Sequence, residues 1–148
     1  MKTITSIIAT FCLSITVPVF SDGDHKHTKN QGRGKNLFES GDIKVIPKFK
    51  SDVAGLKDSH YLSMVVVEIT PNNTEPTHTH PGEEILFGVS GSGAVVLDGV
   101  AHQITPGTVI HVKKGQTKAL SNTSTTENLK VLAYLVLEKG KPVLKMSE

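Results

Sequence analysis

His78-Thr79-His80-Pro81-Gly82-Glu83-Glu84 is the stretch on which the fold turns, and six residues separate it from Gly91. Two histidines at i and i+2 of an extended segment point to the same face. A carboxylate at Glu84 can turn back to that face if the chain bends at Pro81-Gly82. Pro presets φ there and Gly accepts a positive φ. Two imidazoles and one carboxylate converging on a point make a divalent-metal site with room for water or substrate. Alone, so short a motif reads equally well as polar residues on a surface loop. The surroundings decide between the two.

Those surroundings are short apolar runs set between turn residues. The chain has 148 residues, 13 of them Gly, with no Trp and 5% aromatics. That pattern predicts a single all-β domain, sandwich or barrel, rather than a helical bundle. The formal charge of +2 argues neither for a nucleic-acid partner nor for an acidic tail, and the sequence has no basic stripe with interleaved aromatics. No phosphate-cradling GxxxxGK[ST] is present. Cys12 is the one cysteine, and it falls in the leader. A disulfide framework and a thiol nucleophile are therefore excluded from the remainder.

Met1-Lys2 is a short basic start, and Thr3 to Phe20 is uncharged and mostly apolar. Val19 and Ser21 suit the small-residue rule, so residues 1–21 read as a secretory signal peptide cut after Ser21. The expected location is periplasmic or secreted, with no membrane role after cleavage. Residues 22–36 are charged and have nothing to bury, and they read as a disordered polar linker. A single domain is expected over 37–148. Strands are expected over Asp42–Phe49, with Pro47 marking an edge, and over His60–Thr70, which is rich in β-branched residues. Further strands are Glu84–Val89 and Ala94–Leu97, the latter paired with Val100–Ile104 across Asp98-Gly99. Asp-Gly between apolar runs is a strong hairpin signal. Thr108–Val112, Thr117–Ser121 and Leu129–Glu138 complete the set, and the stretch from Lys139 reads as a polar tail. The apolar density of Leu129–Glu138 predicts burial on both faces. Eight to ten short strands are near the number that closes a small barrel or jelly roll.

With these residues in place the sequence resembles the cupin superfamily, over roughly Tyr61 to Glu138. The first motif of that family is commonly written G-x5-HxH-x3,4-E-x6-G. His78, His80, Glu84 and Gly91 fall on it, with Asn72 at the leading Gly. Asn tolerates a left-handed turn well. The second motif is commonly G-x5-PxG-x2-H-x3-N. Gly107, Gly115 and Asn122 match it, while Lys113 stands at the Pro and Lys118 at the His. The resemblance implies an all-β fold, a cupin-type β-barrel or double-stranded jelly roll. It also implies a divalent transition metal (Mn, Fe, Ni, Cu or Zn) held by His78, His80 and Glu84. The implied chemistry is metal-assisted work on a small molecule, of dioxygenase, isomerase or lyase type.

Lys118 complicates this, because the resemblance places the fourth metal ligand there and an ammonium cannot coordinate. Three states follow. The metal binds through His78, His80 and Glu84, with Lys118 swung aside or acting as an anion clamp or lowered-pKa base. Or Lys118 replaces the ion and pairs with Glu84, leaving a non-enzymatic binder of an anionic or sugar-like small molecule. Or another histidine substitutes: His102 by facing the interior, or His111. The first state is the expected one, with Glu84 and Lys118 as the catalytic candidates. Phe87 and Tyr134 are the available stacking aromatics. The strand His60–Thr70, taken as an exposed edge, would pair two copies in a homodimer.

Overall fold

The computed structural model describes residues 38–56 and 58–147. The expected signal peptide at 1–21, the linker at 22–36 and the start of the domain at residue 37 lie outside the described residues. The regular elements among the described residues are all strands. They are β1 (Phe38–Ser40), β2 (Ile43–Asp52), β3 (His60–Ile69), β4 (His78–Thr79), β5 (Gly82–Ser90) and β6 (Gly93–Leu97), then β7 (Val100–Ile104), β8 (Val109–Val112), β9 (Lys118–Asn122), β10 (Leu129–Glu138) and β11 (Lys145–Met146). They form two antiparallel sheets, β1-β2-β3-β10-β5-β8 and β11-β4-β9-β6-β7. This is the all-β jelly roll that the strand spacing predicts.

Period-2 patterning sets the faces. Val65, Val67 and Ile69 of β3 and Val131, Ala133, Leu135 and Leu137 of β10 are buried, and they meet Val95, Leu97 and Leu120 of the other sheet. Burying each such side chain is worth roughly 1.5–3 kcal/mol, which is what lets the interior tolerate a polar cluster. The hairpin at Asp98-Gly99 forms as expected, with Val96 opposite Ala101 and both turn residues at positive φ. Positive φ at both centres is the turn that matches the twist of paired strands. Asn72 also adopts a positive φ of 60°, in keeping with its place at the leading Gly.

Five expectations need correction. β3 is no edge strand, because β2 and β10 flank it on either side; it cannot pair two copies. β10 is buried on one face only, since Tyr134 is exposed and Leu132 and Val136 are half-buried on the other. Its outer face has no second layer above it among the described residues. Phe87 lies beside Leu132 on that same outer face and is exposed, so neither aromatic reaches the interior. His102 is exposed too, because β7 is the edge of its sheet, where the inner face meets solvent. The C-terminal segment, expected as a polar tail, instead contributes β11, with Lys145 paired to Thr79 and Met146 to His78.

Gly82 is needed for a reason other than its φ. It does not adopt a positive φ. A Cβ there would stand 1.9 Å from the carbonyl oxygen of Val136. β5 and β10 approach too closely at that point for any side chain.

Candidate metal centre

The two sheets meet over a cavity of about 40 Å³. Glu75, His78, His80, Glu84 and Lys118 form its polar wall, and Val65, Val67, Leu135, Val143 and Leu144 much of its apolar wall. The volume suits an ion with a few waters. It is far below the few hundred Å³ of a typical organic-ligand site.

Three segments supply the polar groups. β4 places His78 directly opposite Lys118 of β9. β5 brings Glu84 from the other sheet, between Leu135 of β10 and Val112 of β8. Thr74 bridges to Ser121, and the Glu75 amide donates to the Leu120 carbonyl at 2.7 Å, which fixes Glu75 beside the Lys118 strand. All five groups are buried, with Glu84 1% and Lys118 2% exposed.

Hydrogen bonding settles the tautomers of the two imidazoles. His78 Nδ1 donates to the Pro76 carbonyl at 2.8 Å, and His80 Nδ1 donates to the Val143 carbonyl at 2.7 Å. A carbonyl only accepts, so each neutral ring carries its proton on Nδ1. Both Nε2 atoms are then lone-pair acceptors, and they stand 3.2 Å apart. Burial pushes the His80 imidazole below its ordinary value, with Glu84 offsetting part of that, so a proton shared between the rings is disfavoured. Two lone pairs held face to face call for a cation. Backbone carbonyls on the far ring nitrogens are also the usual way metal-ligating histidines are oriented.

The carboxylates are less settled. Glu84 Oε1 accepts from Lys118 Nζ at 3.0 Å and lies 3.8 Å from His80 Nε2. Glu75 Oε1 lies 3.9 Å from His78 Nε2, and its Oε2 lies 3.9 Å from Lys118 Nζ. The second oxygen of Glu84 and the Oε2 of Glu75 have no hydrogen-bond partner. Two donors sharing one ion at ~2.1 Å stand about 3.0–3.4 Å apart. The imidazole pair meets that spacing and the carboxylates fall just outside it. Among the described residues, no three His, Asp or Glu donors therefore form a completed set. The chemistry of the donors nonetheless fits a divalent cation. Two neutral nitrogens and two carboxylates with orphaned oxygens line one cavity, and a single ammonium serves them.

Burial alone would lower the Lys118 pKa, but the Glu84 and Glu75 carboxylates outweigh it and hold the ammonium above its ordinary value. The expected lowered-pKa base is thus not what this environment makes. Of the residues singled out from sequence, His78, His80, Glu84 and Lys118 come together. His111 does not: it is exposed and pairs with Glu83 at 2.6 Å. Glu75 was not among the candidates read from sequence. It follows a polar loop and sits three residues before His78, so the i, i+2 rule does not flag it. The signal that could have found it is its place inside the x5 spacer of the first motif.

Asn122 of the second motif has a scaffolding role. Its Nδ2 donates to the Ile69 and Glu127 carbonyls at 2.9 and 2.8 Å, and its Oδ1 accepts from the Ser124 amide. These bonds tie the end of β9 to β3.

Comparison with known proteins agrees with this architecture. A search of curated proteins finds no sequence match. Among solved structures, the chain is similar to an uncharacterized conserved protein with a double-stranded beta-helix domain from Klebsiella pneumoniae, at TM-score 0.60 and 16% identity, over 74% of this chain and 88% of that one. It is also similar to the vicilin of Solanum melongena, at TM-score 0.63 and 19% identity, over 76% of this chain but 31% of the vicilin. A predicted oxalate decarboxylase from Thermotoga maritima aligns at TM-score 0.53 and 24% identity, over 64% of this chain and 80% of that one. At such identities the likeness shows the fold. Residues 65–135 match the family model of the cupin domain, and with the two-sheet jelly roll around that span, this part of the chain is a cupin domain.

Proposed function

We propose that this is an exported cupin that binds a divalent transition metal through His78, His80 and Glu84 and acts there on a small molecule. The observation that carries it is the His78–His80 pair, with Nε2 lone pairs 3.2 Å apart and both Nδ1 protons committed to carbonyls. A bound transition metal would supply Lewis acidity, polarising a ligand oxygen in a water-poor cavity. Glu84 would balance its charge, and Lys118, protonated, would offer a hydrogen bond to an anionic ligand group rather than remove a proton. The apolar wall restricts that ligand to a few heavy atoms unless the segment carrying Val143 and Leu144 moves. Export rests on the basic start and apolar run of residues 1–21.

A second reading is favoured by one observation, the buried Lys118–Glu84 pair at 3.0 Å. There Lys118 stands permanently for the ion and the cavity binds an anionic or sugar-like molecule without turnover. The vicilin of S. melongena is described with different anionic ligands in structurally similar pockets. Against this, the carboxylates already engage the one ammonium, leaving acceptors in excess. Pairing of two copies would use the exposed outer face carrying Ile85, Phe87, Val109 and Tyr134, since β3 is interior; a monomer-only mass at micromolar concentration would oppose it.

Elemental analysis of the purified protein beside a His78→Ala, His80→Ala double variant decides between the two readings. Near-stoichiometric metal in the parent and none in the variant supports the metal reading. Equal, negligible metal in both, after growth with added metal, overturns it in favour of the binder.

A further inference from the structure

We propose that Glu75 takes the coordination place that Lys118 leaves empty, so that the bound ion is held by two histidines and two carboxylates. This rests on the metal reading above and extends it to a residue outside the three expected ligands.

Four observations place Glu75 there. Its backbone is pinned to β9 through the Leu120 carbonyl at 2.7 Å, which keeps its Cα beside the Lys118 strand. The residue is 6% exposed, and its Oε2 has no hydrogen-bond partner. An orphaned carboxylate oxygen in a dry interior is costly unless something arrives to meet it. Its position also mirrors that of Glu84. Glu75 Oε1 is 3.9 Å from His78 Nε2, and Glu84 Oε1 is 3.8 Å from His80 Nε2. The two carboxylates thus flank the imidazole pair at nearly equal distance, and each keeps one unpartnered oxygen.

Charge gives the fourth argument. Two carboxylates, two neutral imidazoles and one ammonium sum to −1. A divalent cation brings the set to +1, and one anionic ligand group then neutralises it. With Glu84 alone as the carboxylate, the ion and Lys118 would sum to +2 in a buried cavity, which low dielectric opposes strongly. Glu75 is what makes a lysine tolerable beside a metal here. Its Oε1 faces His78 Nε2 and its Oε2 faces Lys118 Nζ, each at 3.9 Å, so one carboxylate would serve the ion while still facing the ammonium.

The test titrates the purified protein with Zn²⁺ against a chromogenic chelator and records the d–d spectrum with Co²⁺. Parent, Glu75→Gln, Glu75→Asp, Lys118→Met, Lys118→Met/Glu75→Gln and the double-histidine variant are compared, each checked for a cooperative melt. A ligand role predicts that Glu75→Gln weakens Zn²⁺ binding by at least the roughly 10–100-fold that loss of an outer partner costs. The Co²⁺ spectrum shifts as well. Glu75→Asp, which keeps the carboxylate, falls between. The loss persists in the Lys118→Met background.

A Glu75→Gln loss below tenfold, an unchanged Co²⁺ spectrum, or a loss that vanishes in the Lys118→Met background each overturns the proposal. The last would mean that Glu75 merely holds Lys118. In all three cases the metal reading survives if the double-histidine variant loses the ion. Should the parent bind neither ion, or the double-histidine variant bind as well as the parent, both fall together. If Glu75→Gln does not fold, Glu75→Asp decides on the same two readouts.

Discussion

Lys118 Nζ and Glu84 Oε1 meet at 3.0 Å across the two sheets, each side chain 2% exposed. This pair stands where the cupin motifs place a histidine and a carboxylate on one metal. Removing one partner of a buried pair leaves an uncompensated charge, at a cost of about 3–5 kcal/mol. Lys118→Met would leave Glu75 and Glu84 with no cation at all, and it should be the most destabilising single change at the site. Glu84→Gln should cost less, since Lys118 keeps Glu75 at 3.9 Å. The double variant should recover part of the loss, because coupled partners are not additive. Urea denaturation in chelator measures all three. Zn²⁺ should then stabilise Lys118→Met more than the parent, since the ion replaces the missing positive charge. Equal stabilisation by Zn²⁺ would mean that Lys118 and the ion do not compete.

Much of this site could be read from residue spacing, and what could not has physical reasons. The His78, His80 and Glu84 spacing survives because a two-residue strand and a bend at Pro81 are local features. The Asp98-Gly99 hairpin and the bounds of β10 at Leu129 and Glu138 were legible for the same reason. Glu75 was hidden because the chain between it and His78 lies outside any strand, and parity along a strand does not carry through Pro76. The tail was misread because a short Lys-rich stretch interrupted by Gly140 and Pro142 gives no strand signal. β11 forms only because β4 offers it an edge, a tertiary effect. The two faces of β10 could not be told apart from an unbroken apolar run, because period 2 is silent when every position is apolar.

Protonation should limit stability on both sides of neutrality. Burial holds the His80 pKa below its ordinary value. The fold therefore prefers the neutral ring. That contribution is fully present above the unfolded value of ~6.5 and is lost as pH falls through the lower folded value. Lys118 works in the opposite sense, because Glu84 and Glu75 more than offset its burial and raise its pKa. Its contribution is fully present below the unfolded ~10.4 and is lost as pH rises through the folded value. Melting of the metal-free protein should thus decline towards acid and towards strong alkali. His80→Gln should flatten the acid limb and Lys118→Met the alkaline one. If neither limb responds to its variant, the site is not what sets the pH profile.

Gly82→Ala tests whether the close approach of β5 and β10 holds the site together. The added Cβ would lie 1.9 Å from the Val136 carbonyl oxygen and 2.9 Å from its carbon. Both are backbone atoms, so no rotamer change relieves the clash and the strands must part. Overpacking of this kind costs about 1–3 kcal/mol. The displaced strand is the one that carries Glu84 two residues on, opposite Leu135. The substitution should therefore lower the melting temperature and weaken metal binding together. Gly115 is the control. It has a φ of +74° and nothing within 4 Å of its Cβ position. Gly115→Ala should carry only local strain of about 1 kcal/mol. Its amide does donate to the His80 carbonyl at 3.1 Å, so that bond must survive for the control to hold. Zn²⁺ titration and a thermal melt on both variants separate the outcomes. Equal small losses for the two would mean that the β5–β10 contact can spread without disturbing Glu84.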